Sequence, residues 1–171
     1  IRGGLYLIPN HSAEHFLFSD NIPLESIKDF TTINNDVFIL SSDNNLFRYS
    51  VEHFGLADVL DFDKPVQDII SHYNEEKLYV SGSGKLYVID ISSSSIINTI
   101  DLNGLEIKSM ASNKNGLFLG THEGLFRLNQ DKLMVKKLTC KITNIENLES
   151  IGDNIWLFND KGAYLVNCAS E

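Results

Sequence analysis

The sequence predicts an all-β fold made of about four four-stranded antiparallel units, because two landmarks recur along its 171 residues with one shared period. An apolar-aromatic pair precedes a polar turn at Val37-Phe38, Leu78-Tyr79, Leu117-Phe118 and Ile155-Trp156. A second pair follows the turn at Leu5-Tyr6, Leu46-Phe47, Leu86-Tyr87, Leu125-Phe126 and Ala163-Tyr164. Successive members of the second series lie 41, 40, 39 and 38 residues apart. A period of about 40 residues built from short strands is typical of a β-propeller.

Each complete unit accommodates four strands, which the third unit shows best at 106–112, 116–121, 124–129 and 133–139. Turn-forming residues such as Asn34-Asn35-Asp36 separate the first strand from the second. The second strand is apolar on both faces, as in Phe38-Ile39-Leu40, which fits a sheet packed between two others. We therefore expect the aromatic pairs, Trp156 included, to pack between neighbouring blades. The whole chain, 1–171, is predicted to be one domain, with a partial blade in 1–20, units at 26–62, 66–102 and 106–139, and an incomplete unit at 145–167.

The two ends of the repeat do not determine how the propeller ring is completed. Residues 5–8 match a third strand and residues 15–19 a fourth strand, while the last unit stops after its third strand at 163–167. Residues 15–19 could complete that last unit and close a four-bladed ring, with one strand to spare. The favoured alternative is a segment of a six- to eight-bladed ring that further blades or another subunit complete.

Composition limits the classes of partner. A net charge of −9 repels a phosphate backbone, so we expect no nucleic acid partner. The one local concentration of basic residues, Lys132, Lys136 and Lys137, is interpreted as a solvated strand edge. No apolar run reaches the roughly 18–20 residues that a membrane-spanning helix needs, so we expect no membrane segment in this chain. The compartment is unknown; a cytoplasmic location is slightly favoured, and a periplasmic or extracellular one applies if the chain is a sensor.

Residue spacing points to neither a metal nor a cofactor. His11 and His15 have HxxxH spacing but bracket a predicted turn instead of one helical face, and two cysteines do not make a zinc framework. Cys140 and Cys168 are expected to be buried free thiols, with a single disulfide between them as the alternative. The stretch Gly82–Lys85 lacks the spacing of a phosphate-binding loop and precedes a strand, so it is interpreted as a β-turn. We expect no metal, no cofactor and no enzymatic activity.

The stretch GLFLGTHEGLFRLNQ, with IWLFNDKGAYLVN, resembles the propeller repeats of two-component-regulator sensor domains. LYVSGSGKLYVID is similar to YVTN and quinoprotein-type repeats, and none of the units carries the landmarks of a WD40 blade. The resemblance covers nearly the whole chain. It implies a rigid platform that binds a ligand or another protein.

In a propeller of this kind, the turns between second and third strands share one face with the links between blades. Such loops commonly carry binding residues, because rigid sheets hold them in place. We call this side the loop face. Its candidate binding residues are Asn44, Lys64, Lys85, His122, Glu123, Asp160 and Lys161.

The sequence supports three functional hypotheses. The preferred one is a non-enzymatic interaction or scaffold module that binds another protein or subunit through the loop face, or through completion of a larger ring. The second is the extracytoplasmic ligand-sensing propeller of a two-component-type receptor. The third is a propeller hydrolase or lyase, whose axial first strands would offer Lys28, Asp29, Asp68, Lys108 and Glu149.

Overall fold

The structure is a computed structural model that describes residues 5–7, 14–16, 26–50, 52–53, 55–72 and 76–167. The described residues form seventeen strands. A two-stranded ladder comes first, with β1 (Leu5–Leu7) paired antiparallel to β2 (Glu14–Phe16). The first blade contains β3 (Ile27–Ile33), β4 (Asp36–Ser41), β5 (Asn45–Ser50) and β6 (Gly55–Asp61). The second blade contains β7 (Asp68–Ser71), β8 (Lys77–Gly82), β9 (Lys85–Asp90) and β10 (Ser95–Asp101).

The third blade contains β11 (Ile107–Asn113), β12 (Gly116–Thr121), β13 (Gly124–Asn129) and β14 (Met134–Lys137). The fourth blade has three strands among the described residues, β15 (Asn147–Ile151), β16 (Asn154–Asn159) and β17 (Gly162–Asn167). Every blade is an antiparallel sheet whose strands neighbour one another in chain order. The four sheets are the blades of a β-propeller, which confirms the predicted fold class.

Apolar side chains fill the space between consecutive blades. Phe38 and Leu40 of the first blade pack with Leu78 and Val80 of the second. Tyr79 and Leu86 of the second blade pack in the same way with residues of the third. Phe118, from the third blade, lies in a cluster with residues of the fourth. Burying each such side chain contributes roughly 1.5–3 kcal/mol, so these layers supply most of the cohesion between blades.

Trp156 is the exception to the predicted packing of the aromatic pairs. Phe38, Tyr79 and Phe118, at the same register of their blades, are at most 2 % exposed. Trp156 is only half-buried, because it lies on the side of the fourth blade where no described blade follows. On that side Leu165 is 53 % exposed and Ile151 is 63 % exposed.

A row of hydrogen bonds joins the innermost strands. Asp29 Oδ2 accepts a bond of 2.8 Å from the backbone N–H of Ile69, and Asp68 Oδ2 accepts one of 2.8 Å from the N–H of Met110. Ser109 Oγ accepts a bond of 3.1 Å from the N–H of Leu148. The acceptor always belongs to the earlier blade and the donor to the later one. We call this series the axial ladder.

The two carboxyl groups of the axial ladder lie close together, and this changes the ionisation of Asp68. Burial raises the pKa of Asp68 to about 8, with further contributions from its hydrogen bond to Asp29 and from the charge of Asp29. Asp68 therefore holds its proton at neutral pH and does not place a second negative charge beside Asp29.

Two links between blades pass directly over glycines. A Cβ atom on Gly82 would lie 2.5 Å from Val66 Cα, and one on Gly120 would lie 2.7 Å from Ile145 Cγ2. Neither position has room for a side chain, so the absence of a Cβ sets how closely the chain can cross to the next blade.

We expect Gly82→Ala to lower the free energy of unfolding by about 1–3 kcal/mol, because its methyl group overlaps backbone atoms that cannot rotate away. Gly55→Ala is the matched control, since the nearest atom to its added Cβ is 3.9 Å away. Urea unfolding of the two variants provides the measurement. Equal loss of stability in both would show that the close crossing is unimportant.

The raised pKa of Asp68 predicts a pH dependence of stability. Its folded-state pKa of about 8 lies above the ordinary value of 3.8, so the folded protein binds the extra proton between these two values. The stability contributed by this group is complete below about pH 4 and is lost as the pH rises through about 8.

Asp68→Asn should remove this component, because the amide cannot ionise yet keeps an acceptor oxygen for Met110. Urea unfolding between pH 5 and pH 8 should show wild-type stability falling relative to the variant. Asp43→Asn, at an exposed turn, controls for general charge effects and should run parallel to wild type. Parallel curves for Asp68→Asn would contradict the assignment.

Candidate functional site

The polar residues of the innermost strands, considered above for an enzyme, make contacts within the propeller. Asp29 and Asp68 accept the backbone hydrogen bonds of the axial ladder. Lys28 Nζ donates to the carbonyl oxygen of Val66, and Lys108 Nζ bonds Glu106 Oε1 at 2.8 Å. Glu149 is exposed. The perturbed pKa at Asp68 therefore has a structural cause in blade packing.

The loop face forms as the sequence suggested, through direct bonds between turns and links. The N–H of Leu102 donates to Gly84 O at 2.9 Å, and Ser83 Oγ donates to Pro65 O at 2.9 Å. In the third blade the N–H of Asn144 donates to His122 O at 2.9 Å. These bonds fix the turns between second and third strands against the links that lead to the next blade.

Two cavities of about 230 Å³ each flank Lys85 on the loop face. Lys64 and Lys85 line one of them together, with Asp61 and Asp63 providing opposite charges. Lys85 also lines the other cavity, whose wall includes Glu106 from the following link. The structure thus brings two of the predicted residues together in a site of mixed charge.

His122 and Glu123 occupy the neighbouring turn and are exposed. The hydrogen bond and charge of Lys108 lower the pKa of Glu106, and the charge of His122 adds to this effect. His122 therefore lies near enough to the Lys85 cavities to influence their electrostatics. The turn itself is fixed by a bond of 3.1 Å from the N–H of Glu123 to Thr121 Oγ1.

The remaining predicted residues lie elsewhere on this face. Asn44 serves the fold: its φ of 67° closes the turn, and its Oδ1 accepts a bond of 3.1 Å from the N–H of Val66. Asp160 and Lys161 are exposed in the turn of the fourth blade and do not line the cavities beside Lys85. The N–H of Lys161 donates to Asn159 Oδ1 at 2.9 Å.

A larger cavity, of about 410 Å³, lies at the opposite ends of the strands. Its wall includes Lys114, Arg127, Lys136 and Asp131, and none of these was a predicted site residue. Lys136 was interpreted above as part of a solvated strand edge; it is exposed on the edge strand β14 and also lines this cavity. A comparison of equivalent positions between blades, described below, is the sequence signal that would have identified it.

The following observations on metal ligands, membrane-spanning helices and cysteines apply only to the described residues. In these ranges no group of three His, Cys, Asp or Glu side chains is close enough to hold a metal ion. No helix in the same ranges is long and apolar enough to span a membrane. Cys140 is a free thiol that is half-buried, less than expected, and Cys168 lies outside the described residues.

Comparison with solved structures places the chain among β-propellers. It is 22% identical to the extracellular domain of the putative one component system BT4673 from B. thetaiotaomicron, with a TM-score of 0.69. It is 17% identical to PorZ, a bacterial surface component of the type-IX secretion system of Porphyromonas gingivalis, with a TM-score of 0.71. The alignments cover 96% and 99% of this chain but only 25% of each of those chains.

The computationally designed protein Ika4 is also similar, at 13% identity and a TM-score of 0.65, over 83% of this chain and 91% of the design. At these identities the likeness shows the fold alone. It confirms the identification as a β-propeller repeat protein.

No curated protein matches the sequence. One family model does match, that of the Domain of unknown function (DUF5074), over residues 17–153. Because this match spans most of the chain, the protein belongs to the DUF5074 family.

Proposed function

We propose that this chain is a non-enzymatic interaction module that binds a further propeller blade through the open side of its fourth blade. The observation that carries the proposal is the exposure of Ile151 and Leu165, at 63 % and 53 %. The same side of the third blade is buried against the fourth, where Phe118 is fully enclosed. An open apolar sheet face of this kind normally marks an interface.

The other end of the array supports a blade as the occupant. Phe30 is 50 % exposed, whereas Ile69, Met110 and Leu148, at the same register of the later blades, are at most 6 % exposed. Val37, Ile39, Phe47 and Tyr49 of the first blade are nonetheless buried. Only the innermost part of that side is open, at the position that the inner strand of a preceding blade would cover.

The axial ladder adds polar groups that match this arrangement. Asn147 occupies the position of Asp29, Asp68 and Ser109 in the fourth blade. Its Oδ1 already accepts bonds of 3.0 Å from Ser109 Oγ and from the N–H of Leu148, so its side-chain amide N–H groups would be the ones to meet the inner strand of a following blade. The blade that covers the open side would come from a second copy of this chain or from a longer chain that includes it. In both cases the covering surface is the inner strand and apolar face of a propeller blade.

The loop face around Lys85 is a second surface of the proposed module. Its two small cavities, and the exposed positive and negative side chains around them, suit the side chains of a protein partner. The contacts of such a partner would extend over several turns.

A ligand-sensing role outside the cytoplasm is the second candidate function. It is favoured by the likeness to the extracellular domain of a putative one component system. A membrane-spanning helix and a signalling domain encoded in the same gene would support it, and a gene without them would remove that support.

Light scattering across a range of concentrations tests the open side. We expect the isolated chain to self-associate or to bind a hydrophobic dye, and Ile151→Ser/Leu165→Ser to abolish both because it removes the apolar contact. The control is Ile97→Ser/Met134→Ser, whose side chains are 44 % and 62 % exposed elsewhere. A wild-type chain that stays monomeric and dye-free at every concentration would overturn the proposal.

For the loop face, Lys64→Ala/Lys85→Ala should reduce retention of a crosslinked partner protein without changing the unfolding temperature, since Lys64 is exposed in a link and Lys85 is the first, partly exposed residue of β9. A matched pull-down with Lys132→Ala, exposed at the opposite ends of the strands, should retain the partner fully. Equal retention by the two variants would exclude the Lys85 region as the binding surface.

A further inference from the structure

The first and third blades carry an arginine at the same register, with different surroundings. Arg48 lies opposite Phe38 in the first blade, and Arg127 lies opposite Phe118 in the third. Each guanidinium carbon lies about 6 Å from the centre of that phenylalanine ring, at 6.0 Å and 5.9 Å. The two side chains therefore have the same orientation against their sheets.

Only Arg48 is neutralised within its own blade. Its Nε donates to Asp36 Oδ2 at 2.8 Å. The third blade has Gly116 at the position of Asp36, with a φ of 137° and with Arg127 Nε 3.0 Å from where a Cβ would lie. In the described part of the chain, Arg127 forms no ion pair with a carboxylate.

A second cation lies directly across the sheet from Arg127. Lys136 is its partner on β14, whereas Ala57 takes this position opposite Arg48. Like charges at directly opposed positions destabilise a sheet. A chain with a net charge of −9 thus places two uncompensated cations side by side in one blade.

Both cations line the cavity of about 410 Å³ at the ends of the strands away from the loop face. Lys114 lies in the same wall but pairs with Asp153 at 2.6 Å, and Asp131 contributes one carboxylate. The polar lining also includes Asn115, Asn129, Gln130 and His72. The volume falls within the range of about 300–1,000 Å³ that is usual for small-molecule sites.

We infer that this cavity binds a small polar molecule bearing an oxyanion, either a carboxylate or a phosphate group, between Arg127 and Lys136. The planar guanidinium presents two parallel N–H donors to the anion, and the lysine adds a point charge. The oxyanion takes the place that Asp36 has beside Arg48, and the neighbouring amides bond the rest of the molecule. This site is independent of the proposed blade interface and of the loop face.

Calorimetric titration with inorganic phosphate and with citrate, at constant ionic strength set by sodium chloride, tests the site. We expect saturable binding of at least one of the two anions to the wild-type chain. Arg127→Gln should weaken it at least about tenfold, the loss that follows from removing a charge-assisted hydrogen bond. Lys136→Gln should weaken it in the same direction.

Arg48→Gln is the matched control, because it removes the same side chain at the same register of a blade where Asp36 already supplies the carboxylate. It should leave the affinity unchanged. Circular dichroism confirms that each variant is folded before titration. Equal weakening by Arg48→Gln and Arg127→Gln, or no binding of either anion up to about 10 mM, would overturn the inference.

Discussion

The structure depends on a hydrogen bond that crosses from each blade to the next at the innermost strands. A backbone N–H of the later blade, at Ile69, Met110 or Leu148, meets a polar side chain of the earlier one. Because each N–H is fixed in its strand, the hydrogen bond sets the position of one blade relative to the next along the propeller axis. It also sets the distance between the two blades. The apolar layers then pack in one register, and the glycine crossings at Gly82 and Gly120 keep the links short enough for this register to persist.

The same constraint explains why charged residues at the axis need not indicate catalysis. Asp29 and Asp68 are adjacent carboxyl groups, and the pKa of Asp68 is strongly raised, a combination that often marks an active site. Here their oxygens are engaged by backbone donors, and the proton held by Asp68 allows two acids to occupy neighbouring blades. Ser109 occupies the corresponding position in the third blade and accepts the same type of hydrogen bond without carrying a charge. The position therefore requires a hydrogen-bond acceptor and does not require a carboxyl group.

Sequence reasoning predicted the fold well because the repeat supplied several independent copies of one pattern. Strands of the third blade begin and end within two residues of the predicted bounds, and those of β12 and β13 coincide with them. The loop face was also predictable, since turn residues are recognisable locally. The structural role of Asn44 was not predictable, because its side-chain oxygen accepts a hydrogen bond from a link 22 residues away, which no local pattern reveals. The cation pair was missed because Arg127 and Lys136 become neighbours only through strand register.

The axial ladder also gives the array a direction. Its acceptors all face one way along the series of blades and its donors the other, so the two ends are different surfaces. Two copies that join through these ends must do so head to tail, and a dimer in which one end meets the same end of the other copy cannot use these bonds. A head-to-tail contact closes into a ring only when the rotation from one copy to the next divides a full turn evenly, and otherwise it continues as a filament. The angle between successive blades, more than the strength of any contact, then decides between a finite particle and a fibre.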